Sequence, residues 1–202
     1  MRIVFIRHGK TSLGARFRFQ SENTPLSDEG RLRVEKCADE LARECVTKIY
    51  TSTFERAVET AQCIARRHHL VPHEHAFFAE KFNGTAVKGH SYASVPFFAL
   101  GLSTIVHLFI RYARYDDEET LDEIWKRVDA ARVFLEEHAG KEECVVVVSH
   151  ALWIATFLTL TEDIRPRFWR YITLVTRALR MRNVQRYDFD YDSVRKVWSR
   201  VI

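Results

Sequence analysis

The stretch "CVVVVSHALWIATFLTLT", Cys144–Thr161, decides the fold. Four consecutive valines read as a strand buried on both faces, the pattern of a parallel sheet rather than of one half exposed to water. The run breaks on Ser149-His150, and an apolar, helix-length segment follows at once. The same order of strand, polar residues and helix occurs twice more. "RIVFI" (Arg2–Ile6) ends on Arg7-His8-Gly9, and "KIYTS" (Lys48–Ser52) leads through Thr53 into "FERAVETAQCIARR". Helices are also predicted over about Ser27–Arg43, with Ser27 as N-cap and Gly30 in the first turns, and over about Glu119–His138, stopped by Gly140. The tail differs. "TLVTRALRMR" and "VQRYDFDYDSVRKVWSRV" alternate, with a turn at Asp190–Ser193, and predict antiparallel edge strands. The arginines of the first (Arg177, Arg180, Arg182) then read as charges protecting a solvated edge, or as an anion-binding stripe. The expected fold class is α/β, a three-layer sandwich. Its mostly parallel central sheet is flanked by helices, with antiparallel edge strands near the C-terminus.

A chain of 202 residues can bury one sizeable core, and no linker, low-complexity tract or repeat divides it. Residues 1–202 are therefore expected to form a single domain. With 47% apolar and 29% charged residues the composition is that of an ordinary globular protein. The net charge of +4 is mild; it suits an anionic small molecule as well as a nucleic acid and so decides little, and no nucleic-acid partner is expected on other grounds. Cys37, Cys45, Cys63 and Cys144 form no CxxC pair and read as reduced core thiols of a cytoplasmic protein. Only four apolar residues precede Arg7, which does not suit a signal peptide. The histidines of "HHLVPHEH" (His68–His75) fit no common metal-ligand spacing and read as a solvated connection. The apolar run Tyr92–Ile110, about 19 residues long, barely reaches spanning length and contains Pro96, Gly101 and His107, so no transmembrane span is expected. The segment at about 92–115 reads instead as an apolar helical insertion or lid. It would pack on the core, form the surface of a homodimer, or line the site near Phe97, Phe98 and Leu102 with an apolar wall.

In an open parallel sheet ligands bind at the carboxyl ends of the strands. Arg7-His8, Arg56 and His150 all fall there and should converge. Gly9-Lys10-Thr11 resembles the end of a nucleotide-binding loop. That loop needs a glycine where Val4 stands, in mid-strand, and a glycine-rich run of amides that the chain lacks. The other reading is a histidine nucleophile. Unprotonated imidazole attacks phosphorus well at neutral pH, and Arg7 and Arg56 would depress the pKa of His8. Two guanidiniums match phosphate oxygens bidentately, and Arg56 lies in the first turn of a helix, whose N-terminus favours an anion. His150 could donate to the equatorial phosphoryl oxygens. Glu80, in "FFAEKFNG", sits among phenylalanines that would raise its pKa toward that of a general acid.

With these residues in view the chain resembles the histidine phosphatase superfamily, the phosphoglycerate-mutase-like group, over nearly its whole length. "RHGKT" is similar to RHG-x-T, "TPLSDEG" to PL-[ST]-x-x-G, and "TSTFERAVETA" to S-x-x-x-R-A-x-x-T-A. "AEKFNGTAVKG" resembles the block that carries the acid, and "VVVVSHA" the strand that ends in the second histidine. The resemblance implies a phosphohistidine intermediate on His8. It implies a phosphoryl group held by Arg7, Arg56 and His150, with Thr11 and Gln20 among the substrate-binding residues, and a leaving group protonated by Glu80. It also implies no metal, no cofactor and a phosphorylated small-molecule substrate. The family often has Asn where this chain has Gly14, Gly where it has Ala151, and Gln-Gly where it has Gln20-Ser21. These departures weigh against a phosphoglycerate-mutase-type phosphotransferase more than against a phosphomonoester hydrolase. The complete set of Arg7, His8, Arg56, Glu80 and His150 weighs against the other alternative, a catalytically weak module that binds a phospho-ligand or a protein.

Overall fold

The computed structural model describes residues 1–15, 18–91, 93–95, 98–99, 102–103, 106, 116–138, 144–162 and 167–201. Its strands are β1 (Arg2–Arg7), β2 (Val46–Thr51), β3 (His73–Glu74), β4 (Cys144–Ser149), β5 (Arg186–Asp192) and β6 (Val197–Arg200). Its helices are α1 (Ser12–Ala15), α2 (Asp28–Leu41), α3 (Glu55–His68), α4 (Leu121–His138), α5 (Ala151–Glu162) and α6 (Arg167–Arg180). The sheet runs β3-β2-β4-β1-β5-β6. β3, β2, β4 and β1 are parallel, while β5 and β6 are antiparallel to their neighbours. This is the expected α/β class.

Alternation along the central strands builds two cores. Ile3 and Phe5 of β1, with Val145 and Val147 of β4, face α4 and α5 in a cluster that includes Trp153 and Phe157. Val4 and Ile6, with Val146 and Val148, face α2 and α3. Both sheet faces are thus buried, as the valine run required.

The loop after β1 lies across the start of α2. Ser27 caps α2 by accepting from the Gly30 amide, and the Lys10 carbonyl accepts from both the amide and the hydroxyl of Ser27. A Cβ on Gly30 would meet the Lys10 carbonyl oxygen at 2.0 Å, backbone against backbone. Gly30→Ala is therefore expected to destabilise the fold by about 1–3 kcal/mol or more, despite the better helix propensity of alanine. Urea unfolding measures it; a stability unchanged or raised would contradict this packing.

Two readings of the tail need correction. "TLVTRALRMR" is not a strand, since Arg167–Arg180 is helical. Its β-branched residues imitate strand alternation, but the buried positions Tyr171 and Leu174 are three apart, which places them on one helix face. Arg177 pairs across to Glu162 of α5 at 2.9 Å rather than guarding an edge. The turn sits at Ser193–Lys196, not Asp190–Ser193. Asp192 Oδ1 accepts from the amides of Val194 and Arg195 and closes the hairpin there, while Asp190 stays in register with Ser199. The cysteines are free, but only Cys37 and Cys63 are core residues, with thiols pushed up to about 11 and about 12 chiefly by burial; Cys45 is exposed. Among the described residues no helix is long and apolar enough to cross a membrane. Most of 92–115, Phe97 included, and Gly140 lie outside the described residues, so the lid and dimer expectations concern a segment of which little is described.

Candidate active site

The adjacent carboxyl ends of β2, β4 and β1 deliver Ser52, His150 and His8 to one place. The backbone holds them in register: the His8 amide donates to the Ser149 carbonyl, and the Ser52 amide to the Val148 carbonyl, each at 3.0 Å. Arg56 arrives from the first turn of α3. Thr60 ties that turn to the β1 loop, because its hydroxyl donates to the Arg56 carbonyl at 2.7 Å and accepts from the Gly9 amide at 3.1 Å.

His8 is 4% exposed. Its Nδ1 lies 2.7 Å from the Gly9 carbonyl oxygen, which can only accept, so Nδ1 carries the proton. The Nε2 lone pair then faces Arg56, whose Nε–H donates to it at 3.3 Å. The pKa of His8 is pushed well below its ordinary value, first by burial, then by Arg56 and Arg7. The sequence pointed to the two arginines; the fold makes desolvation the larger cause. The His150 ring lies 5.0 Å from that of His8 and is fully buried. Burial, followed by Arg56, His8 and Arg7, depresses its pKa as well. The arginines are themselves positioned by carbonyls: Arg7 donates to Met181, and Arg56 Nη1 to Ser21 at 2.9 Å.

Glu80 reaches the same cleft through a pinned loop. Trp153 Nε1 donates to the Phe77 carbonyl at 2.6 Å, Ser149 Oγ to that of Phe78 at 2.7 Å, and Arg127 to those of Phe77, Ala79 and Glu80. The apolar setting expected for Glu80 is not the one it has. Phe78 turns into the core, and the Glu80 carboxylate accepts from the amides of Lys81, Leu152 and Trp153 at 3.0–3.3 Å, capping the start of α5.

Arg7, His8, Gln20, Arg56 and Glu80 line a cleft of about 320 Å³. His150 is fully buried and does not line it, but its ring is 5.0 Å from that of His8, which does. Thr11 does not line it: Thr11 is buried and bridges to Leu26. Lys10, the P-loop-like lysine, is ion-paired with Glu29 at 2.6 Å. The cleft is lined as well by Phe19, Glu22, Phe82, Asn83, Val87, Lys88 and Leu179. Phe98 and Leu102, expected to overhang the site, are exposed and do not line it. Sequence reasoning passed over Arg127, Leu179 and the buried Lys81–Glu118 pair at 2.8 Å. Arg127 and Glu118 carried no local signal, and Leu179 was hidden by the strand reading of its helix.

Two buried neutral histidines make stability depend on pH. Between their depressed native values and the ordinary 6.5, the unfolded chain binds more protons than the native one. Stability is therefore expected to be full above about pH 6.5 and to fall below it, by about 1.4 kcal/mol per pH unit for each histidine. Urea midpoints between pH 5 and 8 measure this, and a flat profile would contradict the burial of the two rings.

The model of the histidine phosphatase superfamily (branch 1) matches residues 3–196. The Arabidopsis thaliana phosphoglycerate mutase-like protein 4 is 39% identical over 67 residues, a stretch covering 32% of this chain but only 29% of that protein. A mycobacterial glucosyl-3-phosphoglycerate phosphatase solved with VO3 superposes with a TM-score of 0.79 at 23% identity, covering 100% of this chain and 97% of the other. Phosphoglycerate mutase from Bacillus anthracis gives 0.77 at 20% identity, with coverage of 100% and 91%. A phosphoserine phosphatase variant from Entamoeba histolytica, in complex with phosphoserine, gives 0.75 at 19%, with coverage of 100% and 95%. These three likenesses establish the shared fold.

Proposed function

The chain belongs to the histidine phosphatase superfamily, and from that premise we propose that it hydrolyses phosphate monoesters through a phosphohistidine on His8. The observation that carries this reading is the state of His8. Its proton is tied to the Gly9 carbonyl, and its Nε2 lone pair lies beside a guanidinium able to hold the incoming phosphate. Nε2 attacks phosphorus, the N–P bond forms, and the P–O bond to the alcohol breaks. Arg7 and Arg56 take the charge of the equatorial oxygens. Glu80 gives its proton to the leaving oxygen. Water then attacks phospho-His8, its proton returns to Glu80, and phosphate leaves as the N–P bond breaks.

The cleft lining supports a preference among esters. Phe19, Phe82 and Leu179 offer apolar surface to the alcohol part of the substrate. These side chains cannot satisfy sugar hydroxyls, whereas Glu22, Asn83 and Lys88, which share the cleft, carry its polar groups there. Aryl and long-chain alkyl phosphates are expected to show higher kcat/KM than 3-phosphoglycerate or fructose bisphosphate. Phe82→Ser with Leu179→Ser should reduce that discrimination about tenfold, the scale of a lost apolar contact. A panel of phosphate monoesters tests both statements. Hydrolysis of none of them would end the phosphatase reading; preference for phosphoglycerate would end the apolar one.

A further inference from the structure

We infer that Ser52 is a positioning residue that fixes His150 as the Nδ1–H tautomer and so readies it to donate to the transferring phosphoryl group. The tautomer follows from geometry; the use made of it rests on the phosphatase reading above. Ser52 is fully buried at the end of β2. Its Oγ accepts from the Phe54 amide at 3.1 Å and lies 2.8 Å from His150 Nε2. A hydroxyl carries one proton, and among the described residues His150 Nε2 is the one group beside Oγ able to accept it. The hydroxyl proton therefore has an acceptor only where Nε2 is unprotonated. The ring is neutral, because burial and the neighbouring arginines hold its pKa low. Its single proton is therefore on Nδ1.

The opposite arrangement is worse on two counts. With the proton on Nε2, both the Ser52 hydroxyl proton and the Nδ1 lone pair would be buried without a partner, whereas with the proton on Nδ1 only the Nδ1–H is. Nδ1 would also present a lone pair beside an anionic phosphoryl group. Nδ1 is buried and makes no hydrogen bond among the described residues. A buried donor without a partner is uncommon, and a ligand oxygen beside His8, whose ring is 5.0 Å away, would supply one. The serine of the S-x-x-x-R-A stretch thus acts through the histidine at the end of β4, 98 residues away.

The test is 15N NMR of the uniformly labelled full chain at pH 7.5, without substrate, with the His8→Ala spectrum separating the two buried rings. The expected result is a pyrrole-type Nδ1 and a pyridine-type Nε2 for His150. Ser52→Ala should move His150 toward the Nε2–H form and lower kcat on the best phosphate ester about 10–100-fold. Ser52→Thr, which keeps the hydroxyl, should restore both where thermal unfolding shows it folded. Added vanadate should shift the Nδ1 signal of the wild type. An Nε2–H tautomer in the wild type, or a Ser52→Ala protein with unchanged spectrum and kcat, would overturn the inference. An Nδ1–H tautomer in a chain that hydrolyses no ester and shows no vanadate shift would instead overturn its phosphoryl role and leave the tautomer standing.

Discussion

His8→Ala is expected to lose turnover by on the order of 10⁴–10⁶-fold, the scale at which an enzyme loses its covalent nucleophile. No other described side chain offers an imidazole nitrogen with its lone pair beside Arg56. The fold should survive. The substitution removes one ring, and the Gly9 carbonyl keeps a donor in Asn183 Nδ2 at 3.4 Å. A cost of about 1 kcal/mol is the scale of one lost hydrogen bond. The variant should also show a shallower loss of stability below pH 6.5, because one of two buried neutral histidines is gone. Steady-state kinetics with urea unfolding at pH 5.5 and 7.5 measures all three effects. Residual turnover within tenfold of the wild type would mean that the nucleophile is elsewhere.

Glu80→Gln should divide substrates by their leaving groups. An alkoxide must be protonated as the P–O bond breaks, whereas nitrophenolate leaves nearly unaided. The loss is expected to be roughly 10²–10⁴-fold on alkyl phosphates and small on p-nitrophenyl phosphate. Glutamine keeps a carbonyl oxygen for the Lys81 and Trp153 amides but turns an NH₂ toward the Leu152 amide, so stability should fall by about 1 kcal/mol. Equal losses on both substrates would assign the acid to another carboxyl. A large loss of stability would assign Glu80 to capping α5.

How much of this was legible beforehand depends on how local each cause is. β1, β2 and β4 are apolar runs ended by polar residues, and their adjacency follows from the parallel sheet, so the meeting of His8, Arg56 and His150 could be anticipated. Ser27 as cap and Gly30 in the first turn of α2 were local as well. The helix α6 was misread because Thr173, Val175 and Thr176 carry a strand-like signal that packing on α5 overrides. β3 has two residues and no pattern to find. The surroundings of Glu80 were misjudged because neighbours in sequence are not neighbours in space. Phe78 enters the core, and of the three amides that meet the carboxylate only that of Lys81 is a neighbour in sequence; the other two come from the start of α5, more than 70 positions on. Arg127 was invisible for the same reason. It is one arginine on an amphipathic helix until the fold sets it against the carbonyls of Ala76, Phe77, Ala79 and Glu80.

The most direct test is to trap the intermediate. The full chain is mixed with a 32P-labelled aryl phosphate, quenched in alkali during turnover, and mapped by proteolysis. Stable label at alkaline pH, lost in acid and confined to the peptide containing His8, is the predicted result, with none on His8→Ala. Turnover without such label, or equal label on the variant, would contradict covalent catalysis by His8.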